Sequence, residues 1–311
     1  MFSSAVRVVR DCYNVRDRGL PTGIWNCTSS LGPAIASPIL TALMIGFDWR
    51  WMFVTMGVVG VVVAVAWLLL YREPTGAHFS EEERHCLTEG DDARTYAPVR
   101  LAEWLALFRF RTTWGLVIGF FGVVYMGWLY LAWLPGYLEM QRHMSIPKTG
   151  IVAAIPFAFG VLGSIGGGWI ADWLMRRGFS QVNSRKMPII IGLLGMVAFT
   201  VVAAETPSDM LAVAAISAAL MFGASASGMS WALASVAAPA HCTASLGAIQ
   251  NFGGYLGGAL APTVTGFIVQ ATASFVPALL VSAVIELVSA LAYLVVIRAE
   301  PITATVLSLA V

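Results

Sequence analysis

The 311 residues are 58% hydrophobic and only 11% charged, well below the roughly 25% charge of a soluble domain. The formal net charge of +1 says little about partners; the distribution of the charges says more. The cations sit in gaps between apolar runs rather than on one polar face, which argues against nucleic acid as a partner.

The first twenty residues carry Arg7, Arg10, Asp11, Arg16, Asp17 and Arg18, too many charges for a cleavable signal peptide. Eight apolar runs follow, at roughly 23–45, 51–71, 113–138, 150–171, 188–204, 210–232, 244–270 and 276–297. Each approaches or exceeds the roughly 20 residues that a membrane-crossing helix needs. Runs of this length exclude barrel strands, and the fold class is an all-α integral membrane bundle. The one long gap, 72–111, holds Ser80 and Glu83 at capping-box spacing. Leu101, Trp104, Leu105 and Phe108 then recur at helical spacing, which predicts a helix lying on the membrane surface. Four parts follow: 1–71 with two spans, the linker 72–111, a six-helix bundle over 112–297, and a tail over 298–311. The four cysteines, Cys12, Cys27, Cys86 and Cys242, are scattered and read as small hydrophobes, without metal or disulfide roles. No cofactor is implied.

The charges are sorted by gap. Of the 18 Lys and Arg, only Arg50, Arg142 and Lys148 fall on one side of the spans; the rest fall on the other. The positive-inside rule then makes the N-terminus, the 72–111 gap and the C-terminus cytoplasmic, and a cell (inner) membrane the location. An internal repeat supports two related bundles. Asn26, Leu31, Gly32, Ala34 and Ala36 superpose at constant offset on Asn251, Leu256, Gly257, Ala259 and Ala261. A parallel repeat of this kind is what transporter halves related by an axis along the membrane normal produce.

Several segments together resemble the major facilitator superfamily, and within it the anion:cation symporter branch that handles organic anions and sugar acids. They are Asp17 to Asn26 with Ser29-Ser30-Leu31-Gly32, Asp48-Trp49-Arg50-Trp51, Trp133-Leu134-Pro135-Gly136-Tyr137, Lys148-Thr149-Gly150 with Pro156, and Gly166-Gly167-Gly168-Trp169-Ile170-Ala171-Asp172. The resemblance covers essentially the whole chain. It implies a twelve-helix fold of which this chain matches the last eight, with residues 1–14 similar to the inner end of the fourth, so a chain shortened at its N-terminus. The family's membrane-embedded Arg and carboxylates lie largely in the missing helices and cannot be carried over. Gly168 and Asp172, followed by Arg176 and Arg177, resemble the family's cytoplasmic gating signature, with Trp173 in place of its usual Arg. Physically, Asp172 can pair with an Arg or with the N-terminus of a neighbouring helix.

Polar side chains inside spans are costly in lipid and mark candidate cavity positions. Asn26 and Ser29 fall in the first span, Tyr130 in the third, Ser227 and Trp231 in the sixth, Gln250 and Asn251 in the seventh. The amides can donate to a carboxylate or hydroxyl without carrying charge, as a polyhydroxylated acid would require; interhelical hydrogen bonding is the competing role. Glu286 is the one mid-span carboxylate and a possible proton site. No Lys or Arg lies mid-span, so the chain alone offers an anion no fixed positive charge. Small residues repeat every four positions, as in Gly160, Ser164, Gly168 and in Gly253, Gly257, Ala261, and read as packing faces. No H-E-x-x-H, G-x-S-x-G or Walker motif is present, which argues against an enzyme and against ATP-driven transport. The expected function is a monomeric secondary transporter of a small organic anion, coupled to H+ and working by alternating access in the lipid bilayer. The alternative is a non-transporting membrane protein, either a remnant, a scaffold or a sensor.

Overall fold

The computed structural model describes Val9, Tyr13 and residues 17–70, 99–298 and 300–303. The Ser80–Glu83 capping box, most of the 72–111 gap and the segment 1–14 apart from Val9 and Tyr13 lie outside the described residues. Two helices, α1 (Gly19–Asn26) and α2 (Thr28–Gly46), run on through a turn at Cys27 as the first span. Trp49–Leu70 forms α3. A short α4 (Leu101–Ala106) and a 3-10 turn (Leu107–Arg109) lead into α5 (Arg111–Met140). The fourth span joins α6 (Ile146–Val152) to α7 (Ala154–Arg176). It is followed by α8 (Gln181–Glu205), α9 (Asp209–Ala237), α10 (Thr243–Thr272) and α11 (Val276–Leu291). A π-helical turn, Ala292–Val296, closes the last span. Eight spans result among the described residues, at the places the apolar runs mark.

The helix ends follow capping chemistry. The Ser180 and Ser208 hydroxyls accept from Asn183 N at 3.2 Å and Leu211 N at 3.4 Å, satisfying first-turn N–H groups of α8 and α9. At the C-terminal end of α8, Arg142 donates to the carbonyls of Ala203 at 3.4 Å, Thr206 at 2.8 Å and Pro207 at 3.2 Å, and its Nε donates to the Tyr137 hydroxyl at 2.8 Å. One cation thereby closes carbonyls that the helix itself leaves open. Lys186 does the same for the last span, donating to Leu294 O at 3.0 Å and Ile297 O at 2.7 Å.

Packing is uneven along the chain. The apolar windows of the last six spans are 39–56% buried, while those of the first two are 0% buried. No residue of α2 or α3 is buried. The core therefore lies within α5 and α7–α11, and includes Phe120, Met126, Leu134, Leu193, Met196, Ile216, Met229, Leu246 and Tyr293. Along the seam between α5 and α10, Gly253 and Gly257 lie against the carbonyls of Val117 and Phe121. Only a residue without Cβ permits so close a main-chain approach, as the small-residue spacing predicts. In α4, Leu101 and Leu105 are exposed while Ala106 is buried, as is Leu107 just beyond it, and Trp104 meets Phe108 edge-on at 5.0 Å.

Candidate functional site

Two linked sites emerge, a cavity and a clasp beside it. Among the described residues, a cavity of about 270 Å³ opens between α1–α2 on one side and α5, α7, α8, α9 and α10 on the other, on the scale of a small-molecule site. Its polar wall comprises Asn26, Ser29, Ser30, Ser227 and Asn251, and its apolar wall includes Phe120, Trp128, Phe157, Trp231 and Tyr255. The two asparagines equated by the internal repeat thus face one space. Trp231 is held edge-on between Trp25, at 6.3 Å, and Phe120, at 5.3 Å, a rigid aromatic surface with a polar edge. Among the described residues no Lys or Arg lines the cavity.

The polar groups divide by what already occupies them. Asn26 is buried, and its Nδ2 donates to Ser164 Oγ at 3.0 Å and to Ala224 O at 3.4 Å. Its Oδ1 accepts from Ser227 Oγ at 3.3 Å, and Ser164 Oγ donates onward to Gly23 O at 2.8 Å. Both amide protons of Asn26 are thus engaged within the protein, and this residue ties α1 to α7 and α9. Ser29 donates to Asn26 O at 2.7 Å. Asn251 differs: it is half-buried on the cavity wall, and its side chain makes no hydrogen bond to the described residues. Gln250 and Tyr130 are not on that wall. Both are buried in the helix packing, and among the described residues the Gln250 amide and the Tyr130 hydroxyl meet hydrogen-bond geometry with no partner. Ser164 was legible only as part of a small-residue stripe. It is fully buried, and being the one hydroxyl among the glycines of that stripe was the available signal of its bonding role.

The clasp joins α1 to the end of α7. Asp172 is buried, and its two carboxylate oxygens accept from Gly19 N at 2.8 Å and Leu20 N at 2.7 Å. The carboxylate thereby caps the N-terminus of α1, where the helix dipole favours negative charge. Gly168 stands one turn earlier, directly against Gly19 O, and Gly23 stands against Ser164 O. Backbone packs on backbone here because neither glycine carries a Cβ. Of the two arginines, Arg176 approaches Asp17 at 3.8 Å with both side chains more than half exposed, a weak pairing in water. Arg177 instead lies 4.3 Å over the Trp173 ring, so the aromatic residue in place of the usual Arg provides a cation–π partner. Two arginines not singled out from the sequence, Arg18 and Arg185, are also buried near this clasp. Arg185 donates to Gln181 O at 2.8 Å and lies within electrostatic range of Asp172. Glu286 is fully buried in α11 and does not line the cavity.

Eight helices long and apolar enough to cross a membrane among the described residues, six of these spans lining one cavity with a capped clasp beside it, define a polytopic helical membrane protein of transporter architecture. The sequence pattern of the Major Facilitator Superfamily matches residues 1–262, and the chain belongs to that superfamily, which is a family of transporters rather than of enzymes. It is 41% identical over 297 residues to the probable L-galactonate transporter of Escherichia coli K12, covering 96% of this chain and 65% of that protein. It is 29% identical over 308 residues to the D-galactonate transporter of Escherichia coli O6:H1, covering 95% of this chain and 70% of that protein. To a probable galactarate/D-glucarate transporter of Bacillus subtilis it is 30% identical over 301 residues, 94% of this chain and 66% of the relative. The chain thus spans about two thirds of the length of these relatives. Among solved structures, the proton:xylose symporter XylE bound to 6-bromo-6-deoxy-D-glucose superposes with a TM-score of 0.65 at 14% identity, over 94% of this chain and 67% of that one. An inward-facing, unoccupied bacterial homologue of the human lysosomal transporter Spinster gives 0.63 at 15% identity, over 95% and 74%. At such identities these two likenesses speak to the fold alone.

Proposed function

We propose that the chain forms the substrate-binding and gating part of a secondary transporter for six-carbon sugar acids of the galactonate and galactarate type. The observation that carries this reading is the cavity wall, where the unengaged amide of Asn251 stands among serine hydroxyls and opposite a fixed indole. The Asn251 amide can donate to a carboxylate, and the Ser29 and Ser227 oxygens, whose protons go to Asn26, can accept from sugar hydroxyls, while Trp231 offers a flat apolar face to the carbon chain. The relatives named for L-galactonate, D-galactonate and galactarate/D-glucarate support the same substrate class. In this reading Asn251, Ser227, Ser29 and Trp231 contact substrate and Asn26 positions Ser227. Asp172 with Gly168 forms the clasp that holds one end of the cavity shut, and Arg176 and Arg177 flank it on the cytoplasmic side. Alternating access then means release of the clasp, with H+ as the coupling ion, in a monomer of the cell (inner) membrane whose C-terminus is cytoplasmic. A linker over 72–111 joins residues 1–71 to a six-helix bundle over 112–297. Gln250 and Tyr130 support the wall from behind.

The test is uptake of radiolabelled L-galactonate, D-galactonate, galactarate and D-glucarate into proteoliposomes, by this chain and by its gene extended in frame upstream. Accumulation of at least one acid, driven by an inward pH gradient, is expected. Absence of uptake for all four would overturn the substrate class, and indifference to the gradient would remove the proton. A second reading, in which these 311 residues do not transport by themselves, is favoured by one observation: the apolar windows of the first two spans are 0% buried. It predicts uptake by the extended product only.

A further inference from the structure

Behind the cavity wall, three polar side chains from three helices meet in otherwise apolar packing. Glu286 of α11 is fully buried, and neither carboxyl oxygen has a hydrogen-bond partner. Tyr130 of α5 lies within electrostatic range of it and close to Thr200 of α8; both hydroxyls are buried, and among the described residues neither meets hydrogen-bond geometry with a partner. Residues adjacent to this cluster reach the cavity: Trp128 and Leu131 on α5, and Met196 one turn before Thr200 on α8, line it. Two of the three helices that carry the cluster thus also line the cavity.

Among the described residues, the helices packed against α11 place no mid-helix cation beside the carboxyl. On α5 the charged residues are Arg111 and Glu139, at its two ends; on α8 they are Arg185, Lys186 and Glu205, again at the ends; α10 has none, and Glu286 is the one charged residue of α11. Arg185 is engaged by Gln181 O, and Lys186 by the carbonyls of Leu294 and Ile297. The other titratable groups on these elements are Tyr125 and Tyr137 of α5, Tyr255 of α10 and Tyr293 of the π turn. Tyr137 accepts from Arg142, Tyr293 donates to Ser230 Oγ at 2.8 Å, and Tyr255 lines the cavity. Of these groups Tyr130 is the one within electrostatic range of Glu286. An ionised carboxylate sealed in apolar packing without a donor is very costly, and such a group takes up a proton instead.

Next to this carboxyl, the last span packs on a glycine-lined face of α5. Along this seam, α5 presents Gly115 to Val296 and Ile297, Gly119 to the Tyr293 ring, and Gly122 to Ser289 Oγ. Ser289 donates across the seam to Ile118 O at 3.2 Å. The contact is smooth on the α5 side, and the last span changes to a π-helical turn six residues after Glu286; such turns recur at functional sites.

We propose that Glu286, framed by Tyr130 and Thr200, is a proton-binding site separate from the substrate cavity, and that its loading and unloading are tied to movement of the last span along the glycine seam of α5. Proton binding here is independent of the transport reading; its tie to sugar-acid uptake rests on that reading. The step is a bare proton transfer, with the carboxyl O–H formed on loading and broken on release.

Infrared spectroscopy of the purified chain in lipid tests the site directly. A protonated-carboxyl carbonyl band at neutral pH is expected, lost in Glu286→Gln and kept in the control Asp172→Asn. Tyr130→Phe should shift the pH at which the band disappears. A band unchanged in folded Glu286→Gln overturns the site. Should Glu286→Gln not fold, Glu286→Asp keeps the carboxyl one methylene shorter, and a band unmoved in that variant overturns the site equally. In proteoliposomes, Glu286→Gln should lose the response of uptake to a pH gradient, and a retained response overturns the coupling. Absence of uptake by every form refutes the transport reading and leaves the infrared result to decide the proton site.

Discussion

Asn26 and Asn251 occupy equivalent repeat positions and face one cavity, yet their chemistry has diverged. Asn26 uses both amide protons on Ser164 and Ala224 and accepts from Ser227, whereas the Asn251 side chain is unengaged. Hydrogen bonds to a charged group contribute about 1.5–3 kcal/mol. If Asn251 binds a substrate carboxylate, Asn251→Ala should raise the uptake KM by roughly tenfold to a hundredfold with little change in protein stability, since about 1.4 kcal/mol is tenfold. Asn26→Ala should act differently, lowering the thermal midpoint of the detergent-purified protein by removing the donor to Ser164 and the acceptor of Ser227, so that α1 loses its side-chain ties to α7 and α9. A KM effect for Asn26→Ala at unchanged stability would reverse these assignments. The sequence identifies both residues, because polar groups in lipid-length apolar runs are conspicuous. It cannot say which is engaged, since that depends on Ser164 lying 138 positions away. Gln250 looks the equal of Asn251 from the sequence, but consecutive positions on a helix point about 100° apart, and only Asn251 meets the cavity.

At the scale of elements, small residues set how closely the helices run. A Cβ at Gly163 would collide with the carbonyl of Met221 on α9, whereas one at Gly166, on the same helix, meets nothing within 4 Å. Gly163→Ala should therefore destabilise the bundle by about 1–3 kcal/mol, the usual cost of overpacking, and Gly166→Ala should be neutral or slightly stabilising. Thermal melting of the two variants side by side decides this, and equal midpoints would show that α7 and α9 relax apart. The eight spans were legible from apolar run length, and their ends moved by only a few residues. The breaks at Cys27 and Ala153 were not legible, because each is a single-residue departure inside a continuous apolar run with no composition signal. The π turn at Ala292–Val296 was equally silent, since Ala-Tyr-Leu-Val-Val reads as ordinary helix.

For the whole molecule, the sorted charges and the eight spans make one joint prediction about sidedness. Single cysteines placed at Arg100, Gly178 and Arg298 should label from the cytoplasmic side of intact cells only after permeabilisation. Cysteines at His143 and Pro207 should label without it. The endogenous Cys12, Cys27, Cys86 and Cys242 are replaced first. Any of the five positions labelling from the wrong face would break the assigned topology. Asp172 carries the second prediction at this scale. Its two bonds tie α1 to α7, and loss of a helix cap costs about 0.5–2 kcal/mol. A few kcal/mol separates the states of a two-state protein, so Asp172→Ala should visibly populate the form with α1 and α7 apart. Spin-label distances between those helices, broadened or lengthened in the variant, would show it; an unchanged distribution would remove the clasp role.

The clasp also has an uneven vulnerability to mutation. Its acceptor is a side chain, but its donors are main-chain N–H groups, which every residue except proline supplies. At Leu20 nearly any substitution leaves both bonds intact, and only Leu20→Pro removes one, leaving Gly19 N as the single donor. At Gly19 the limit is volume instead, since a Cβ there would meet Asp172 itself. Saturation mutagenesis should accordingly find Asp172 and Gly19 rigidly constrained and Leu20 permissive but for one residue. Sequence drift on one helix can thus proceed without compensation on the other, which a side-chain pair could not allow.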